Sequence, residues 1–332
     1  ISKKTKTGQY ATSEEVLSEL VDKHPIITDI LQYRALQKLQ STYIEALPRE
    51  VNPHTGRIHT TFMQAVTATG RLSSNQPNLQ NIPIRTPQGS QIRKAFVPRN
   101  ADYTLLSADY SQIELRVIAA LSEEDHMIEA FLQGQDIHRS TAAKVFGVPL
   151  EAVTKEQRSH AKTVNFGIIY GVSAIGLSQQ TSLSRSQSKE LIDTYYQTYP
   201  KLKGYIEKQI AFAREHGYVE TILGRRRYLP DIHSRNQVVR GAAERNAVNA
   251  PIQGSAADII KVAMVRIAQR LEKEKMATRM LLQVHDELLF DVPKAELEVV
   301  TPLIREEMQN AYQLAVPLIV EIGTGSNWLE AH

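Results

Sequence analysis

Apolar residues fall into runs along this chain, and the spacing within each run predicts its element. Tyr103 to Ala108 concentrates its apolar residues at the centre of a short run, the pattern of a buried strand. The segment after it repeats apolar positions at three and four, the pattern of a helix, so Asp109 falls where strand gives way to helix. Two further β-rich runs, RMLLQV and LLFDV, are separated by His285, Asp286 and Glu287. No Gly or Pro marks that turn, yet the apolar flanks predict a hairpin with the acids at its tip. Between these regions, RSHAKTVNFGIIYG sets Arg158, Lys162, Phe166 and Tyr170 four residues apart in succession. On a helix they share one stripe. Gly167 and Gly171 are expected to weaken its end, and Ser13 to cap a helix beginning near Glu14.

The stripe suits a nucleoside triphosphate. A guanidinium and an ammonium can meet phosphate oxygens, while the two rings offer flat surfaces to a sugar and a base. A solvated basic face has the same spacing, and an acid at a strand end is an ordinary turn residue. Two acidic strand ends and such a helix in one chain are harder to dismiss together.

Composition narrows the picture modestly. With 332 residues, 42% of them hydrophobic, the chain can bury a large core and is expected to divide into two or three subdomains. The net charge of +3 permits a polyanionic partner without requiring one. Local basic clusters say more: Lys3, Lys4 and Lys6, and the run Arg225, Arg226, Arg227. The absence of cysteine excludes disulfides and thiolate zinc sites, consistent with a reducing compartment. No long apolar run or leader-like segment is present, so a cytoplasmic protein with no membrane partner is expected.

Longer motifs carry a resemblance. DYSQIELR (Asp109 to Arg116), the RSHAKTVNFGIIYG helix and QVHDE (Gln283 to Glu287) resemble motifs A, B and C of family A DNA polymerases, the bacterial DNA polymerase I type. TGRLSSNQPNLQNIPIRT (Thr69 to Thr86), DIHRSTA, GRRRYLPDI and ERNAVNAPIQGSAADIIK match in the same order, over nearly the whole chain. The resemblance implies an α+β right-hand fold with an antiparallel palm sheet, helical fingers and a truncated helical thumb. It places the C-terminal part of the thumb at 1–50, the first part of the palm at 51–124, the fingers at 125–245 and the second part of the palm at 246–332. The chain opens on Ile1 in a polar segment, so a fragment without a proofreading exonuclease is expected.

The activity implied is template-directed addition of deoxynucleoside triphosphates to a primer, with primer-template DNA as partner and a monomer as the working unit. Asp109 and Asp286 would hold two magnesium ions, with the Tyr110 carbonyl as a further ligand and manganese as a substitute. Glu287 would be an auxiliary catalytic acid, and Lys162 would protonate pyrophosphate. The same resemblance gives the nucleotide Arg158, Lys162, Phe166, Tyr170, His138, Gln112 and Glu114, the last against the sugar C2′ position. It gives DNA Arg71, Asn81, Arg85, Arg245, Asn249, Gln253 and His285, with Lys38 and Tyr43 from the thumb.

Three other classes compete. His285 and Asp286 could be a metal doublet of a helical phosphohydrolase, but their flanks are strand-like. A catalytically dead DNA-binding module is opposed by the intact Asp109, Asp286 and Lys162. A single-subunit RNA polymerase has a different motif A, and Glu114 resembles the residue that rejects a ribose hydroxyl.

Overall fold

The computed structural model describes every residue except 1–3, 6 and 85, so Lys3, Lys6 and Arg85 lie outside the described residues. The chain forms two compact units, residues 1–62 with 74–96, and residues 63–73 with 97–332.

The first unit carries α1 (Glu14–Ser18), α2 (Pro25–Leu39) and α3 (Pro87–Ser90), with a short ribbon of β1 (Val51–Asn52) and β2 (Arg57–Ile58). Helix α1 begins where expected, but the Ser13 side chain makes no capping bond. Helix α2 starts with Pro25 at its first position, where a missing N–H costs nothing, and His24 Nδ1 accepts the Ile26 N–H at 3.1 Å.

The second unit is built on a four-stranded antiparallel sheet in the order β8-β3-β7-β6: β3 (Tyr103–Tyr110), β6 (Arg279–Val284), β7 (Glu287–Pro293) and β8 (Val320–Gly325). Strand β3 runs two residues past the expected Ala108, because it is central: β7 pairs with it as far as Asp109 and β8 as far as Tyr110. Asp109 lies opposite Glu287 on β7 and Glu321 on β8. Helices α4 (Ile113–Ser122), α5 (Asp125–Leu132), α6 (Ile137–Phe146) and α7 (Lys155–Ile169) follow, then α8 (Ala174–Gln180), α9 (Arg185–Thr198) and α10 (Pro200–His216). A two-stranded ribbon, β4 (Tyr218–Glu220) and β5 (Arg226–Tyr228), leads into α11 (Gln237–Lys273), and α12 (Leu297–Gln309) and α13 (Trp328–Ala331) complete the unit. The core joins β3 and β7 to α4, α11 and α12 through Leu106, Phe290, Ile118, Ile259 and Ile304, all essentially inaccessible. Buried on almost every side, α4 is apolar around most of its circumference.

Helix α13 lies directly on β8 because that strand presents glycines there. A Cβ on Gly323 would overlap the Ala331 carbonyl, and one on Gly325 would come within 2.5 Å of Glu330 Cβ. Among the described residues no helix is long and apolar enough to cross a membrane. Gly323→Ala is expected to force α13 off the sheet and lower unfolding free energy by about 2 kcal/mol, read from the urea midpoint at unchanged m. An unaltered midpoint would mean that α13 does not need this close approach.

Candidate active site

Two carboxylates meet where the sheet ends. Strands β6 and β7 form the expected hairpin, but its turn is only His285–Asp286: Glu287, expected at the tip with Asp286, already lies in β7, paired with Val284. His285 supplies the left-handed backbone (φ +55) that Gly or Asn usually gives such a turn, which is why no turn signal stands in the sequence. The Tyr110 N–H donates to the Asp286 carbonyl at 3.2 Å, fastening the turn to the end of β3. Next to it the chain turns sharply into α4 through Gln112, also left-handed at φ +55. Buried Arg116 braces this corner: Nε donates to the Ser111 carbonyl at 2.8 Å and a terminal nitrogen to the Pro317 carbonyl at 2.7 Å.

The electrostatics of the pair are unfavourable in isolation. Asp109 is pushed up to about 6 by burial and by the neighbouring Glu287. Asp286 is pushed up to about 7 by burial, with Glu114 and Asp109 adding repulsion. Two hard-oxygen donors that resist ionisation side by side suit a divalent cation, which would offset their repulsion. No group of three or more metal-ligating side chains gathers among the described residues, so a cation here would draw on two carboxylates, backbone carbonyls, water or substrate.

Glu287 differs from this pair. Burial alone would raise it, but hydrogen bonds from His332, Ser107 and Trp328 outweigh that and hold it below the usual carboxylate range. Ser107 Oγ donates at 2.7 Å, Trp328 Nε1 at 2.8 Å, and His332 Nδ1 stands 3.4 Å away. Glu287 is therefore clamped by β3 and the C-terminal helix. Only the strand alternation that puts Ser107 on the same face as Asp109 hinted at one of these partners.

A third acid faces the pair from the start of α4. Glu114 is only 6% exposed; it accepts from Arg71 at 2.5 Å and from the Tyr170 hydroxyl at 2.9 Å. Glu114 is therefore not a solvated residue of the helix start. Arg71 and His285 also share a narrow cleft with Asp286, Gln283 and Lys261. On α11, Arg245, Asn249 and Gln253 fall four residues apart; Gln253 reaches the Tyr170 hydroxyl, while the buried Asn249 Oδ1 has no hydrogen-bond partner.

Helix α7 carries Arg158, Lys162 and Phe166 as expected, but Tyr170 lies just beyond its last residue. The helix stops in a Schellman motif: Gly171 (φ +67) donates to the Ile168 carbonyl at 3.0 Å, and Val172 to that of Gly167 at 2.8 Å. The expectation of a weakened end gives way to a defined one. Gly167 is needed because a Cβ there would sit 2.7 Å from Val172, and Gly171 because one would meet the stem of Arg245. The stop turns Tyr170 toward Glu114.

Facing α7, His138 is buried and accepts the Asn165 amide at Nδ1, 3.0 Å away, which leaves the ring proton on Nε2. Burial, with Arg158 and Lys162 beside it, lowers His138 to about 4, so it is a neutral donor at neutral pH. Its ring is 5.6 Å from that of Phe166. Arg158 Nε donates to Asp136 at 2.7 Å, a partner not anticipated from the sequence, although Asp136 stands in the DIHRSTA segment.

The remaining candidates lie elsewhere. Lys38, Tyr43 and Asn81 belong to the first unit. There Tyr43 is buried and donates to the Asn81 carbonyl at 2.6 Å, so its hydroxyl is engaged inside the unit, while Lys38 is exposed. Of the three consecutive arginines, Arg225 pairs with buried Asp258 at 2.8 Å and Arg226 with Glu220 at 2.6 Å.

The α+β architecture is that of a polymerase domain. The "POL domain of Pol1 from M. smegmatis complex with DNA primer-template and dNTP" superposes with a TM-score of 0.94 at 48% identity, covering 99% of this chain and 58% of that one. A profile of DNA polymerase family A matches residues 1–330, and the chain belongs to that family. It is 53% identical over 331 residues to thermostable DNA polymerase I of Thermus aquaticus, covering 100% of this chain and 39% of the relative. It is 51% identical over 331 residues to DNA polymerase I of Bacillus subtilis, covering 100% and 38%. The chain thus spans about two fifths of the length of these relatives.

The raised carboxylates predict a pH effect on stability. A carboxyl whose folded value exceeds its unfolded one favours the fold fully below the unfolded value, and that contribution is lost as pH rises through the folded one. Without divalent cations, Asp109 and Asp286 should therefore make the protein less stable between about pH 4 and 7. Asp286→Asn should raise stability at pH 8 by about 1–3 kcal/mol, with little gain at pH 4. Equal denaturant midpoints for wild type and variant at pH 8 would contradict the repulsive pair.

Proposed function

We propose that this chain is the catalytic part of a template-directed DNA polymerase, adding deoxynucleotides to a primer 3′-hydroxyl without a proofreading exonuclease in this span. The observation that carries the reading is the fastening of Asp109 and Asp286 at one end of the sheet, with Glu114 facing them and a cationic helix in the same unit. Family membership and the similarity to a polymerase domain bound to primer-template and dNTP support it. On this reading the palm is the sheet with α4 and the part of α11 from 246 onward, 125–245 is the fingers and 1–50 the C-terminal part of the thumb. The working unit is a cytoplasmic monomer.

Each group then has a task suited to its surroundings. Asp109, Asp286 and the Tyr110 carbonyl would hold two magnesium ions, or manganese in their place, which when bound would activate the primer hydroxyl and neutralise the triphosphate. Arg158 and Lys162 bind the triphosphate, and Lys162 gives a proton to departing pyrophosphate. His138 donates from Nε2. Phe166 packs on the sugar, Tyr170 on the base or template, and Gln112 lines the nucleotide pocket beside Glu114. Arg71, Gln253 and His285 read the minor groove through acceptors common to all base pairs. Arg245, Asn249, Asn81 and Arg85 contact template and primer and Lys38 the duplex, while Tyr43, buried with its hydroxyl on the Asn81 carbonyl, supports that surface instead of touching DNA. Glu287 steadies the centre from beneath. The exposed turn position of His285 does not suit a helical phosphohydrolase doublet, and buried Glu114 favours deoxynucleotides over a ribonucleotide substrate.

Replacing Asp109 or Asp286 with Asn keeps side-chain shape and removes a charge. Primer extension should fall by at least about a thousandfold, roughly 4 kcal/mol of barrier, while primer-template affinity stays within a few fold. Near-normal extension by either variant would remove that residue from the reaction centre.

Glu114→Ala opens the space against C2′ and frees Arg71 and Tyr170 from their shared acceptor. Ribonucleotide incorporation relative to deoxynucleotide should rise by about a hundredfold or more, with ordinary extension weakened. If that ratio does not move, Glu114 is not the sugar gate.

A further inference from the structure

One carboxylate ties α6 to α7. Asp136 caps α6: its Oδ1 accepts the backbone N–H groups of His138 at 2.9 Å and Arg139 at 3.1 Å. Its Oδ2 accepts the Nε–H of Arg158, in the first turn of α7, at 2.7 Å. A single side chain thus fixes both the backbone that presents His138 and the guanidinium of Arg158.

The choice of Nε matters. An arginine on a helix surface has many rotamers, and ordering one costs conformational entropy. Asp136 holds the guanidinium from its stem side, and the two terminal nitrogens make no hydrogen bond to any other described residue. They are left to present a two-pronged donor to phosphate, the geometry in which Arg differs from Lys. Burial would raise Asp136, but the bond from Arg158 and those from the α6 backbone outweigh it, so the carboxylate stays ionised near neutral pH.

We infer that Asp136 is a positioning residue for the incoming nucleotide: it does not touch the triphosphate, but holds Arg158 and His138 in one frame so that their donors converge on it. The inference rests on the reading of Arg158 as a triphosphate ligand. A placeholder role, in which Asp136 occupies Arg158 until a phosphate displaces it, has the opposite sign, because removing the carboxylate would then strengthen nucleotide binding.

Steady-state incorporation of a single deoxynucleotide on a primed template separates these outcomes in wild type, Asp136→Asn, Arg158→Ala and the double variant. Asp136→Asn keeps an oxygen to cap α6 and loses the charge. It should raise the nucleotide KM about tenfold, with a smaller change in kcat. On the Arg158→Ala background the same change should raise KM by no more than about twofold, since the group being positioned is gone. Asp136→Ser, whose hydroxyl can also cap the helix, gives the same comparison if the Asn variant folds poorly. An unchanged KM, a lowered KM, or a rise that persists in full without Arg158 would each overturn the proposal. If Arg158→Ala alone leaves KM unaltered, the triphosphate reading of Arg158 fails, and this inference with it. A raised KM in Arg158→Ala beside an unaltered one in Asp136→Asn would sink the inference alone.

Discussion

The pairing of β3 with the β6–β7 hairpin, carried out to the last residue of the strand, is the contact on which the rest of the site depends. It sets Asp109 directly across from Glu287 and lets the Tyr110 N–H reach the Asp286 carbonyl. Slipping the register by one residue would turn every side chain of β3 to the opposite face. That slip is opposed by Leu106 and Ala108, both fully buried, and by the glycines of β8 that admit α13. A site made of a few oxygens is thereby held by a sheet whose burial would be lost if they moved.

The same pairing places acids where they repel one another. Asp109 and Asp286 carry raised values, whereas Glu287, one position farther along the hairpin, is held low by three hydrogen-bond donors. The difference separates roles: the first two are poised to gain from a cation, and the third is already satisfied by protein. Glu114 is satisfied too, by Arg71 and Tyr170. Because Tyr170 reaches it from just past α7, that link joins the cationic helix to the start of α4, beside the strand end that carries Asp109.

Much of this was legible in the sequence because it is written in local spacing. The strand ending at the acid, the hairpin around His285 and Asp286 and the four-residue stripe all follow from periodicity, and the motifs extended them to named residues. What escaped depends on backbone geometry or on partners distant in sequence. Tyr170 keeps the stripe's spacing but lies outside α7, because Gly171 adopts φ +67 and ends the helix. Gly167 reads as a weak point until Val172 is seen packed where its side chain would be. The clamp on Glu287 joins Ser107, Trp328 and His332 across most of the chain, and Asp136 is only a member of the DIHRSTA motif until Arg158 is found on its second oxygen. No window of sequence contains such contacts.

The most direct test of the central claim, that paired carboxylates at the end of the sheet form a cation-dependent polymerising centre, is extension of a primed template by the wild-type chain, with and without magnesium, using deoxynucleotides and ribonucleotides in parallel. The account predicts templated deoxynucleotide addition that requires the cation, with ribonucleotides used far less efficiently. Extension that proceeds equally well with the cation chelated, or no extension by a folded chain that binds primer-template and magnesium, would contradict it.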